Sequence, residues 1–306
     1  MKKEQTFALK LWVSISILVS LLLIGSLIAL ILGSDTRSVG ANTAIIRING
    51  PIMADTAGGL FAELGTSSTA VIELLEEARD DKTITAVILE INSPGGSAVA
   101  SDEIAQAVQA VAEEKIVVAW IRESGASGAY WIASSADHVV ANRMSITGSV
   151  GVISSYLEFD EFIDDWNVSY NRLVAGERKD IGDPFTDLTP EREAFMQQKL
   201  DRVHRFFIES VAENRNLTQM QVASISTGEF FLGVEAKELG LVDELGGKEA
   251  AIAYIEEQTG KEAVTVYFEP EATFFEALFG VEETSRMAGS YRGPLALADI
   301  PVPLLR

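Results

Sequence analysis

The sequence predicts an α/β fold, and three observations lead to this class. Short runs of apolar residues with the length of strands recur along the chain, as expected for parallel strands that are covered on both faces. Segments whose apolar residues recur at helical spacing lie between these runs. Turns that contain Gly, Pro, Asn or Ser join the two kinds of segment. This alternation is typical of a largely parallel sheet with helices packed against it.

The first half of the folded region alternates strand and helix. Its first strand, 44–48, ends at the turn residues Asn49, Gly50 and Pro51. Apolar length and spacing predict the elements that follow, which are a helix ending near residue 79, a strand at 84–91, a helix around 104–112 and a strand at 115–121.

The second half is predicted to contain shorter elements and one long helix. The short elements are a small-residue helix at 127–135, strands near 139, at 146–153, at 169–174 and at 263–268, and helices at 156–166, 218–223, 234–239 and 248–259. The long helix has a clear start, because Thr189 is a capping residue, Pro190 takes the first helical position and Glu191 lies in the first turn. It is predicted to end near residue 214.

Composition excludes several functional classes. The chain has 306 residues, with 24 Lys and Arg against 45 Asp and Glu, and a net charge of −21. Nucleic acid is therefore not a predicted partner, because phosphate binding requires clustered cations. The absence of Cys excludes disulfides, thiolate metal sites and Cys nucleophiles, and two His residues are too few for a multi-histidine metal site. We predict no metal or cofactor, so the chemistry must rest on Ser, Lys, Asp or Glu.

The N-terminal segment is predicted to anchor the protein in a membrane. Residues 11–32 carry no charge, and about 20 apolar residues suffice to cross a bilayer core. Lys2, Lys3 and Lys10 precede this run, so the positive-inside rule places the N-terminus in the cytoplasm. A cleaved signal peptide is the alternative, but the run is long for one and no A-x-A site closes it.

This interpretation divides the chain into five parts and predicts a single-pass protein of the cytoplasmic membrane. They are a cytoplasmic N-terminus at 1–10, a transmembrane helix at 11–33, a linker at 34–43, a folded domain at 44–268 and a tail at 269–306. The folded domain is expected on the extracytoplasmic side. The tail is expected to be mobile or to dock on a partner.

Two glycine-containing segments are candidates for a catalytic site. Gly95 and Gly96 follow the strand 84–91, where backbone N–H groups could form an oxyanion hole. A tight turn that requires positive φ is the structural alternative. Ser127 lies at a strand-to-helix junction in a sequence close to the nucleophile-elbow pattern G-x-S-x-G, with Ala129 in the last place. The alternative role for Ser127 is that of a helix cap among closely packed small residues.

A nucleophilic Ser needs a base, and the sequence offers either His or Lys. His138 and His204 are both in settings where structural or exposed histidines are common. Lys179 follows the predicted strand 169–174, and a lysine can act as a base only when its pKa is lowered from its usual value near ~10.4. Taken alone, Lys179 has the sequence setting of a solvated loop lysine. Ser149 or Thr147 could orient its amine, or could equally satisfy a turn.

Five segments in this order resemble the signal peptide peptidase A family, in its short, single-repeat form. They are INSPGG at 91–96, SGASGAYWIAS at 124–134, TGSVGVI at 147–153, GERKDIG at 176–182 and ELGLVDELGG at 238–247. The resemblance implies a membrane-anchored serine peptidase with the Clp protease/crotonase fold of repeated ββα units. By this resemblance Ser127 is the nucleophile, Lys179 the general base, Gly95 and Gly96 the oxyanion hole and Ser149 the residue that orients the lysine.

The family further implies how the site is completed and what it cleaves. Several copies form a ring-like homo-oligomer in which Lys179 of one copy reaches Ser127 of its neighbour. The expected substrates are apolar peptides, among them remnant signal peptides.

Three rival interpretations stay open at this point. One is a crotonase-like acyl-CoA hydratase. The predicted membrane anchor and the Ser/Lys pair argue against this interpretation. Another is a hydrolase that uses Ser127, Asp183 and His204. The third is a catalytically silent membrane scaffold that binds peptides or proteins.

Overall fold

The computed structural model describes residue 12 and residues 15–26, 40–55 and 65–270. The chain divides into two compact units, Met1–Phe268 and Glu269–Arg306. The second unit coincides with the predicted tail, and all but its first two residues lie outside the described residues.

Residues 15–26 form a helix, α1, within the predicted membrane-spanning run. The rest of that run, apart from residue 12, and most of the predicted linker lie outside the described residues. Among the helices that can be described, none combines the length and the apolarity needed to cross a bilayer.

The folded region contains short strands and helices in alternation. The strands are β1 (Thr43–Asn49), β2 (Ile52–Met53), β3 (Thr66–Ser67), β4 (Ala86–Ser93), β5 (Ile116–Ala126), β6 (His138–Ala141), β7 (Ile146–Gly148), β8 (Phe230–Leu232), β9 (Glu244–Leu245) and β10 (Thr265–Phe268). The helices are α2 (Ser68–Asp80), α3 (Ala98–Ala112), α4 (Gly128–Ser134), α5 (Asp160–Asp165), α6 (Pro190–Asn214), α7 (Gln219–Ile225), α8 (Gly233–Glu238) and α9 (Lys248–Thr259).

The main sheet has a parallel core in the order β10-β1-β4-β5-β6-β9. Successive residues of a strand point to opposite faces, and β1 shows the result. Ala44, Ile46 and Ile48 join the core formed with α2, α3, α4 and α6, whereas Ile45 packs on the other face in the smaller cluster that includes α9. Both faces of the central strands are therefore covered, which confirms the α/β class.

Strand β5 changes its neighbour partway along its length, and this change positions the candidate site. Residues from Val118 to Ile121 pair with β6, whereas Ser124, Gly125 and Ala126 pair with β7. The register of the β4–β5 pair also shifts between Ile91 and Ser93. Strand β7 therefore takes the place of β6 beside the end of β5, which leads directly into Ser127.

Most predicted elements are confirmed, and α6 and α9 have the predicted bounds. The strand predicted at 169–174 is wrong, because those residues are exposed, have no regular structure and lie beside no partner strand among the described residues. The strand predicted at 146–153 ends at Gly148, where φ is +73°, and Ser149 follows with φ of +52°. Positive φ at two successive residues ends the extended conformation. The helix predicted at 156–166 is shorter, Asp160–Asp165.

Candidate active site

Ser127 occupies a strained junction between β5 and α4. Its backbone has φ of +53° and ψ of −127°, a combination that a residue with a Cβ rarely adopts. Its N–H donates to the Gly148 carbonyl at 2.8 Å, and its carbonyl accepts from the N–H of Tyr130. The hydroxyl makes no capping hydrogen bond to α4. The backbone is thus fixed by its neighbours while the partly exposed Oγ stays available for reaction.

Helix α4 holds this junction in the core, because every one of its residues is buried. The Tyr130 hydroxyl donates to the Leu241 carbonyl at 2.9 Å, and burial raises the pKa of Tyr130 well above its usual range. Tyr130 therefore stays a neutral donor at physiological pH. Trp131 stacks on Phe207 of α6, with ring centroids 4.6 Å apart.

The predicted glycine turn lies directly against Ser127. A Cβ on Gly95, where φ is +99°, would lie 2.8 Å from both the Gly128 nitrogen and the Ser127 Cβ. A Cβ on Gly96 would lie 2.1 Å from the Ile52 carbonyl oxygen. Only glycine fits at either position without moving the backbone, so the close approach explains both residues.

The two predicted glycines differ in whether their amides can donate to a ligand. The Gly95 N–H already donates to Ser93 Oγ at 3.1 Å. Across the described part of the chain, the N–H groups of Gly96 and Gly128 have no acceptor. A Cβ on Gly128 would be only 3.4 Å from the Gly96 nitrogen, so these two amides are neighbours. They are the donors best placed to bind an oxyanion beside Ser127.

Gly128 is the site residue that sequence reasoning missed. Its position directly after Ser127, in a sequence close to the nucleophile-elbow pattern, was the available signal. Its small size is also required, since a Cβ there would lie 2.2 Å from Ser101 Oγ.

Ser127 opens into a cleft of about 690 Å³, a size that suits a ligand site. The residues that line the cleft are Pro94, Gly96, Ser97, Ala98, Ser127, Gly128, Trp131, Ser149, Gly151, Val152, Ile153, His204, Phe207, Thr227 and Gly228. Ser149 therefore shares the cleft with Ser127, and its role in orienting Lys179 stays a prediction. Its N–H donates to the Glu229 carbonyl at 2.9 Å and its Oγ donates to the Gly228 carbonyl at 3.4 Å.

Lys179 does not line this cleft in the single chain. It is exposed, in a turn where its N–H donates to the Gly176 carbonyl at 3.1 Å. The side chain of the next residue, Asp180, is only 7% exposed and contacts the guanidinium groups of Arg172 and Arg192. The turn is therefore anchored through Asp180 while the Lys179 side chain faces outward.

The rival Ser127, Asp183 and His204 arrangement is not assembled. His204 lies in the cleft, but its Nε2 is 2.9 Å from the Val150 carbonyl oxygen. A carbonyl oxygen only accepts, so Nε2 carries the hydrogen and cannot take a proton from Ser127. Asp183 instead accepts from the Tyr170 hydroxyl at 2.5 Å and from the Phe185 N–H at 2.9 Å. The Tyr170 hydrogen bond lowers the pKa of Asp183.

Comparison with known proteins assigns the chain to a family. The model of peptidase family S49 matches residues 109–262, about half of the chain. A Methanocaldococcus jannaschii protein named "Putative protease MJ0651" is 33% identical over 258 residues, which cover 82% of this chain and 81% of that protein. The chain belongs to peptidase family S49. Its reaction class is therefore peptide-bond hydrolysis.

A further relative confirms the resemblance to signal peptide peptidase A. An Enterococcus faecium protein named "Putative signal peptide peptidase SppA" is 27% identical over 271 residues, covering 79% of this chain and 78% of that protein. A solved structure of a variant "1510-N membrane-bound stomatin-specific protease", in complex with a substrate peptide, is 14% identical with a TM-score of 0.48. The match covers 78% of this chain and 95% of that one.

Proposed function

We propose that this S49 protein is a membrane-anchored serine endopeptidase that cleaves apolar peptides with Ser127 as nucleophile and Lys179 as general base. The observation that carries the proposal is the geometry at Ser127. A strained junction presents its hydroxyl beside the amides of Gly96 and Gly128, which have no acceptor within the described residues. We also assign the domain to the Clp protease/crotonase type of α/β fold, on the family resemblance.

The reaction is an acyl transfer in two stages. The neutral Lys179 amine removes the Ser127 proton as Oγ attacks the peptide carbonyl, and the Gly96 and Gly128 N–H groups stabilise the oxyanion. The protonated amine then gives its proton to the leaving nitrogen, and an acyl-enzyme remains. Water, deprotonated by the same lysine, hydrolyses that ester and releases the second peptide.

Lys179 is proposed to act on Ser127 of a neighbouring copy in a ring-like homo-oligomer. The segment from 153 to 174, which precedes the Lys179 turn, has large apolar side chains on its surface and no buried residue. The most exposed of them are Ile153, Leu157, Phe162, Trp166 and Leu173. Monomeric proteins rarely expose so many apolar side chains along one segment, which supports a second copy as its partner.

Remnant signal peptides are proposed as substrates, and the cytoplasmic membrane as the location, with the domain on the extracytoplasmic side. Trp131, Val152, Ile153 and Phe207 give the cleft an apolar lining suited to such peptides. The name of the Enterococcus faecium relative and the uncharged run at 11–32 support this choice.

The test is cleavage of a fluorogenic Leu- and Ala-rich peptide by the full chain in detergent. Ser127→Ala and Lys179→Ala should each lose turnover by about 10³-fold or more while the assembly persists. Ser224→Ala and Lys82→Ala change exposed residues away from the cleft and should behave as wild type.

Other outcomes would replace the proposal. Full activity in Lys179→Ala would rule out the Ser/Lys dyad. Peptide binding without cleavage by any correctly assembled form would favour the scaffold.

A further inference from the structure

One wall of the cleft is formed by residues 149–153, which have no regular secondary structure. On one side the wall rests on residues 228 and 229. Ser149 bonds both carbonyls there, and a Cβ on Gly151 would lie 3.1 Å from the Gly228 Cα. This side fixes only the first part of the wall.

On the other side the wall is held by a single side chain. His204 Nε2 lies 2.9 Å from the Val150 carbonyl oxygen, while the Val150 side chain is fully buried. Within the described residues, no other side chain forms a hydrogen bond with the backbone of 150–153. The distance of this wall from the opposite side of the cleft therefore depends on His204.

The same helix face also contacts the helix that follows the nucleophile. His204 and Phe207 are three residues apart in α6, so they lie on one face. Phe207 stacks on Trp131 of α4, and α4 begins directly after Ser127. Helix α6 thus contacts the wall through the hydrogen bond from His204 to Val150. It contacts the helix that follows Ser127 through the stack of Phe207 on Trp131.

We propose that His204 is a positioning residue that sets the width of the peptide-binding cleft by donating its Nε2–H to the Val150 carbonyl. The proposal rests on the proposed function, since it takes the cleft as the peptide site. His204 acts through the wall and exchanges no proton with Ser127. Loss of the hydrogen bond frees the wall, so peptide binding weakens more than the chemical step.

The experiment compares His204→Leu, which removes the donor, with His204→Gln, whose side-chain amide can still donate to the carbonyl. In His204→Leu the KM for the apolar peptide should rise about tenfold with a smaller change in kcat, as expected for loss of one hydrogen bond. His204→Gln should lie within about threefold of wild type. Arg205→Leu changes the adjacent, exposed position of the same helix and should leave KM unchanged.

A binding measurement separates this inference from the proposed function. In the Ser127→Ala background, the Kd of a fluorescently labelled apolar peptide should rise about tenfold with His204→Leu and recover with His204→Gln. If wild type cleaves no peptide but this binding pattern holds, the proposed function fails and the role of His204 stands. If neither KM nor Kd changes in His204→Leu, the role of His204 is wrong and the Ser/Lys proposal is unaffected.

Two further results would bear on the role of His204. A His204→Gln enzyme as inactive as Ser127→Ala, with normal Kd, would make His204 the base and overturn both proposals. If circular dichroism shows that His204→Leu does not fold, His204→Asn takes its place, because its shorter amide should not reach Val150 and should show the same rise in KM and Kd. A normal KM and Kd in His204→Asn would overturn the positioning role.

Discussion

At the residue scale, backbone conformation sets Ser127 apart, because among the described serines only Ser127 and Ser149 have positive φ. The positive φ of Ser127 turns the chain sharply between β5 and α4. Its hydroxyl makes no capping hydrogen bond to the helix. That conformation is costly, and it persists because Gly148, Tyr130 and the buried α4 fix the residues around it. Gly95 completes the arrangement by allowing a second chain segment to approach within contact distance of Ser127.

Gly95→Ala should therefore inactivate the enzyme. The new Cβ would meet the Gly128 nitrogen and the Ser127 Cβ at 2.8 Å, which displaces both the proposed nucleophile and a proposed oxyanion donor. We expect kcat to fall by about 10²-fold or more, measured by peptide cleavage alongside chemical denaturation.

Gly260→Ala is the matched control. Gly260 also has positive φ, +65°, but a Cβ there would meet nothing within 4 Å. It should cost about 1 kcal/mol of stability and leave kcat unchanged. Equal loss of activity in both variants would show that unfolding, not displacement of Ser127, explains the effect.

At the element scale, the turn that presents Lys179 depends on its connection to α6. Arg192 lies in the first turn of that helix, and its guanidinium is 3.3 Å from the Asp180 carboxylate. Arg172 contacts the same carboxylate from the preceding segment. The Asp180 carboxylate therefore pairs with two arginines. Asp180 thus ties the turn to the helix.

Asp180→Asn should loosen this turn and lower kcat/KM by about tenfold, because a neutral amide interacts far less strongly with two guanidinium groups. The assembly should persist in size-exclusion chromatography. Asp187→Asn makes the same charge change at an exposed position of the same segment and should have little effect. If both variants lost activity equally, net charge rather than anchoring would be responsible.

At the scale of the whole molecule, one chain holds the two proposed catalytic groups apart. Ser127 lies in the cleft, whereas Lys179 lies outside it, beyond a segment with exposed apolar side chains. An isolated copy would have a nucleophile without its base. Association of copies is therefore the step that we expect to switch on catalysis.

Mixing two inactive variants tests this expectation directly. After dissociation and co-assembly in equal amounts, Ser127→Ala and Lys179→Ala should recover about a quarter of wild-type activity, because about one neighbouring pair in four combines an intact Ser127 with an intact Lys179. Peptide cleavage is the readout. A double Ser127→Ala/Lys179→Ala variant mixed with Ser127→Ala should stay inactive. No recovery in the first mixture, despite co-assembly, would contradict catalysis between copies.

The sequence by itself determined the α/β class, most of the elements and the two segments that meet at the site. Apolar runs indicate buried strands because both faces of the sheet are covered. Thr189 and Pro190 mark the start of α6 because helix capping is a local interaction. The motifs also identified Ser127, Gly95 and Gly96, whose local conformations depend on residue type.

Tertiary structure decided what depends on contacts between distant segments. Residues 169–174 have the composition of a strand, but a strand forms only beside a partner, and the described chain provides none. The bond from His204 to Val150 joins distant segments, and packing leaves the Gly128 amide without an acceptor among the described residues. Hydrogen-bond partners far apart in sequence carry no periodic signal, so only the folded chain shows which donors remain for a substrate.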